Sequence, residues 1–188
     1  MKKLMTEWKK FLNEQEEEVL DSVAEYIPPK PANEKCDEKS VLYAKRGFDI
    51  NPTKFLGNLD KALDMAIELK TYTGRYPEDG VQELNNWPLF TYIPGLLRGS
   101  DCFSPQPTKE QMDQKLGDLY TMLTEAEKMM AQKAPETLRT DKILNRMYLN
   151  MEYLINAIAT ARYGNPKTKR EEIKKVLSKL KPIQMTNN

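Results

Sequence analysis

Apolar residues recur at three- and four-residue spacing along most of this 188-residue chain, and nowhere do they alternate over a useful length. Such spacing lays a continuous stripe along one side of a helix, whereas a half-buried strand needs a period of two. Met112, Leu116, Leu119, Tyr120, Leu123, Ala126 and Met130 make one stripe, and Leu144, Met147, Met151, Leu154, Ile155 and Ile158 make another. The predicted fold class is all-α.

Punctuation divides the chain into about five helices within a single helical domain over residues 1–188. The first runs from about Thr6 to Tyr26, capped by Thr6 and stopped by Pro28 and Pro29. Its charges run against its dipole, with Lys9 and Lys10 near the positive end and Glu16 to Glu18 towards the negative end. Asn51 as N-cap and Pro52 at the first helical position open the second, which Gly74 closes. The third starts at a capping box formed by Thr108 and Gln111 and ends before Pro135. Pro135 then opens the fourth, which extends about 40 Å to Tyr163. So short a link makes residues 108–163 a long antiparallel hairpin. A second capping box, Thr168 with Glu171, is expected to start the last helix, with Ile173, Val176, Leu177 and Leu180 inward.

Two stretches are expected to be irregular, 27–50 and 75–107. The first holds at most a short element at Ser40 to Lys45. The second is rich in proline and aromatic residues, and too apolar to be disordered. As a core plug it would bury Trp87, Phe90, Tyr92 and Ile93 between the second helix and the hairpin. As a binding surface it would present Arg75, Tyr76, Trp87, Phe90, Tyr92 and Arg98, residue types enriched at interaction hot spots. The plug is the favoured reading for its middle, with Tyr76 to Asp79 or Arg98 to Asp101 exposed at its edges.

The chain contains no histidine. That absence excludes Ser-His-Asp and Cys-His nucleophiles, H-E-x-x-H zinc sites and the Glu-x-x-His di-iron motif. No phosphate-binding P-loop is present, and Gly95 and Gly99 around Leu96, Leu97 and Arg98 are a minimal phosphate cue without its context. The acids of the hairpin, Glu110, Asp113, Asp118, Glu125, Glu127, Asp141 and Glu152, read as solvated charge rather than a magnesium site. Met129, Met130, Met147 and Met151 read as core. No catalytic residue, metal site or cofactor is therefore predicted, and the chain is read as a non-enzyme.

No apolar run approaches the roughly 18 residues of a membrane span, and Glu7, Lys9 and Lys10 interrupt any signal-peptide core. Cys36 and Cys102 have no C-x-x-C spacing. A bridge between them is open, but free thiols in a reducing compartment are the expectation. The net charge of +1 hides an asymmetry: residues 165–188 carry seven basic side chains against Glu171 and Glu172. That basic C-terminal helix and tail supplies an alternative function, nucleic-acid binding through Lys167, Lys169, Arg170, Lys174 and Lys175.

The opening residues, MKKLMTEWKKFLNE, resemble the starts of small uncharacterised proteins of tailed bacteriophages. The resemblance implies a viral or prophage origin and brings no catalytic residues with it. The leading expectation is a protein-binding protein, a virion or assembly component or a blocker of a host factor. It would reside in the host cytoplasm or the virion, away from membranes.

Overall fold

The structure, a computed structural model, describes Thr6 and residues 36–73, 88–103, 105–134, 136 and 142–180. Six α-helices lie among the described residues: α1 (Glu38–Asp49), α2 (Pro52–Thr73), α3 (Pro88–Gly99), α4 (Lys109–Lys133), α5 (Lys142–Tyr163) and α6 (Lys169–Leu177). A 3-10 turn, Ser100–Cys102, follows α3 directly, and no strand occurs among the described residues. The all-α expectation holds. The first predicted helix, apart from Thr6, and the Gly74 cap lie outside the described residues.

The hairpin is as the stripes imply. Thr108 caps α4 by accepting from the Gln111 backbone N–H, and the Gln111 side chain accepts from the Thr108 N–H in return. Arg162 near the end of α5 bonds Asp113 near the start of α4 at 3.2 Å, and Glu127 accepts from the Tyr148 hydroxyl, so the two helices run antiparallel. α2 lies along α4 in the same direction. Lys115 reaches the Ile50 carbonyl at its start, and Lys133 sits 2.5 Å from Asp60 and 2.6 Å from Asp64 further along.

Two expectations of irregular backbone are corrected. Within 27–50, residues 38–49 form α1, longer than the predicted Ser40–Lys45 element. Asp37 caps it by accepting from the Ser40 N–H, and its buried stripe is Val41, Ala44 and Gly47. These are small residues, so the stripe carries little apolar signal. Within 75–107, residues 88–99 form α3 despite Pro94 in its interior. Pro94 returns no N–H to the Phe90 carbonyl, a defect worth about 3 kcal/mol in a helix interior. Burial of Leu89, Ile93 and Leu96 at 0% exposure offsets it, at about 1.5–3 kcal/mol per side chain.

α1 and α3 pack antiparallel with their backbones nearly touching. A Cβ on Gly47 would overlap the Tyr92 carbonyl, and one on Gly95 would lie 2.7 Å from the Tyr43 Cβ. Gly99 faces Ala44 and the Ser40 carbonyl. Gly95 and Gly99, noted as a phosphate cue, are thus packing glycines that let two helices approach.

A disulfide between Cys36 and Cys102 ties the outer end of this pair, with Cα atoms 5.8 Å apart. The free-thiol expectation is corrected accordingly. Val41 and the two half-cystines make a small apolar cluster beside the main core.

The main core joins all six helices, through residues such as Ala44, Phe55, Leu96, Leu119, Met147 and Ile173. Met130, Met147 and Met151 are fully buried in it, as core filler should be. Asn58 is buried with its Nδ2 lacking a hydrogen-bond partner among the described residues, at a cost of about 1–3 kcal/mol.

The last helix starts differently from expectation. Thr168 precedes α6 in a helical conformation and makes no side-chain cap. Instead the Asn165 side chain accepts from the Lys167 N–H and its carbonyl from the Lys169 N–H, so an Asx turn feeds the helix. Glu171 pairs with Lys174 at 2.8 Å rather than reaching back.

Candidate functional site

A cleft of about 700 Å³ opens beside the α1–α3 pair. α1 contributes Ser40 and Tyr43 to its wall, and α3 contributes Phe90, Thr91, Pro94, Gly95, Arg98 and Gly99. The disulfide and Asp101 close one end, and Arg170 reaches it from α6. Because α1 and α3 meet backbone to backbone, Tyr43 and Phe90 are carried on the flanks and wall the opening.

Tyr43 is held in place on both sides. Its ring packs against Tyr92 at 5.6 Å between centroids, and the Lys39 ammonium sits 5.4 Å above it. Tyr92 is itself buried, with its hydroxyl accepting from Arg46, whose guanidinium lies 5.3 Å from the Tyr92 ring. At the head of α1 the Ser40 hydrogen bond holds the Asp37 carboxyl below its ordinary value. Arg98 and Arg170, by contrast, form no ion pair among the described residues, and both are exposed. Two guanidiniums outside any ion pair among the described residues, beside aromatic rings, make the cleft receptive to an anion carrying apolar surface.

A second, smaller cleft of about 370 Å³ lies between α3, α4, α5 and α6. Arg98, Asp101 and Arg170 border both openings.

Of the predicted protein-binding residues, Phe90 and Arg98 line the larger cleft. Tyr92 is 5% exposed and lies behind the wall, so it supports the site without meeting a ligand. Arg75, Tyr76 and Trp87 lie outside the described residues. The middle of the segment is core for Leu89, Tyr92, Ile93, Leu96 and Phe103, but it packs chiefly on α1 and then α5, not between the second helix and the hairpin as the plug reading has it. Phe90, expected inside, is only half-buried.

The predicted nucleic-acid residues differ in the contacts they already make. Lys169 donates to the Ala161 carbonyl at 2.8 Å and Lys174 is paired with Glu171. Lys167 and Lys175 are exposed, and Arg170 turns to the clefts. The structure thus joins Arg98 and Arg170, which the sequence assigned to different functions.

Tyr43, Pro94 and the disulfide were missed. An Asp-x-x-Ser cap ahead of Val41 and Ala44 was the signal for α1 and so for Tyr43. Among the described residues no group of three or more His, Cys, Asp or Glu side chains is placed to hold a metal ion, and no helix is long and apolar enough to cross a membrane.

Comparison of the chain with known protein families, with curated proteins and with solved structures finds no match.

Proposed function

We propose that this is a non-enzymatic binding protein that captures a partner protein through the larger cleft. The observation that carries the reading is the pair Arg98 and Arg170, free of ion pairs among the described residues, beside Tyr43, Phe90 and Pro94 in an opening of about 700 Å³. Guanidiniums bind carboxylates bidentately, and aromatic walls take a large apolar side chain. The fitting occupant is an acidic segment of the partner bearing one such side chain. The resemblance of the N-terminal MKKLMTEWKKFLNE to tailed-phage proteins directs the search for the partner to virion proteins and host factors. A disulfide persists in oxidising surroundings, which favours the virion over a reducing cytoplasm as its place of action.

The test is fluorescence anisotropy with a labelled peptide of aspartates and glutamates around a central phenylalanine. Binding is expected, with a loss of about tenfold or more in the Arg98→Glu/Arg170→Glu double variant. Lys174→Glu/Lys175→Glu is expected to bind as the parent does. If the second pair abolishes binding, or if duplex DNA binds with a steep salt dependence, the nucleic-acid alternative replaces this reading.

A further inference from the structure

We propose that the smaller cleft is a binding site for a single-chain aliphatic anion, its alkyl chain on the cleft floor and its head between Arg98 and Arg170. The floor is apolar and contains no aromatic ring: Leu96, Leu97, Met112, Leu116, Ala161 and Ile173. Leu96, Leu116 and Ile173 are buried, while Leu97, Met112 and Ala161 are half-buried and bound the entrance. A floor of branched aliphatic side chains and one adaptable thioether suits a flexible alkyl chain better than a planar ring. At about 370 Å³ the cleft stands near the lower end of ligand sites, enough for one chain and too small for a folded peptide.

The rim decides the head group. Arg98, Lys169 and Arg170 face a single carboxylate, Asp101, so the local charge is positive. Lys169 is fixed there by its bond to the Ala161 carbonyl at 2.8 Å, which leaves the ammonium with further donors. Both guanidiniums are without an ion pair among the described residues. A carboxylate or a phosphate monoester placed between them would gain charge-assisted hydrogen bonds without breaking any the protein already makes. A cationic or neutral head would not.

The probes are decanoate, decyl phosphate, decanol and decyltrimethylammonium, each below its micelle concentration, followed by calorimetry and by amide chemical shifts. Decanoate or decyl phosphate, or both, are expected to bind with shifts confined to Leu97, Met112, Ala161 and Ile173, and whichever is tighter names the head. Decyltrimethylammonium is expected to bind at least about tenfold more weakly. Met112→Trp fills the entrance from a half-buried position and is expected to abolish binding while leaving the acidic peptide's affinity in place. That separates this site from the larger one. Should that variant not fold, Arg98→Glu/Arg170→Glu, both at exposed positions, is expected to lower decanoate affinity about tenfold with the circular dichroism unchanged. Equal binding of the cationic and anionic amphiphiles, shifts spread over the surface, or no heat with either anion would overturn the proposal.

Discussion

Cys36 and Cys102 are each under a tenth exposed and are joined across a separation of 66 residues. Closing a loop of that length removes enough unfolded-state entropy to stabilise the fold by about 4 kcal/mol. The denatured, non-reduced protein is therefore expected to show no titratable thiol. Reduction is expected to lower the melting temperature, which calorimetry with and without a phosphine would measure; two reactive thiols before reduction would contradict the bridge. Tyr148 offers a second reading at this scale. Its hydrogen bond to Glu127, reinforced by burial, raises the phenol above its usual value of 10.0. The neutral form is the one the fold favours, so its contribution is complete below the unfolded pKa and fades as pH rises through the folded one. Stability is expected to fall above about pH 10, and Tyr148→Phe should be less stable at neutral pH yet lose less on the alkaline limb.

Packing between elements explains why α1 and α3 escaped the sequence patterns. α2, α4 and α5 carry Leu, Met and Ile at helical spacing, and their stripes are read directly because large side chains fill the space between helix axes. The α1 stripe is Val41, Ala44 and Gly47, whose value lies in what they leave empty. In α3, Pro94 and Gly95 look like turn punctuation, yet Gly95 is the point where Tyr43 comes closest. Pair packing overrode propensity here, and no single-helix rule reports on it. Two glycine substitutions separate the effects. Gly47→Ala drives a methyl into the Tyr92 backbone, which cannot move aside as a flexible side chain could. A loss of at least about 1–3 kcal/mol is expected. Gly57→Ala in α2 meets nothing within 4 Å and is expected to gain about 0.5–1 kcal/mol from helix propensity alone. Chemical denaturation of the two variants should move in opposite directions.

The whole molecule couples what its parts hold separately. Arg98, Asp101 and Arg170 border both clefts, so anions seated in the two would share the same two positive charges and repel one another. Decanoate is therefore expected to weaken the acidic peptide, and the peptide to weaken decanoate by the same factor. Anisotropy titrations at several decanoate concentrations would show a rising apparent Kd, absent in Met112→Trp. None of this could be read from the chain alone. Arg98 and Arg170 lie on α3 and α6, and only the folding of α6 back along α5, with Lys169 on Ala161 and Lys179 beside Tyr153, brings them to one place.

The disulfide also sets how this chain bears load. α2 lies wholly inside the covalent ring that runs from Cys36 to Cys102, while α4, α5 and α6 hang outside it. A pull applied to the two ends passes through the sulfur atoms and leaves the ring slack. With 66 residues of separation withheld from extension, the oxidised chain should stretch roughly 220 Å less than the reduced one under the same force. An optical trap would read that difference as a change in contour length, and adding reductant would release it in one step.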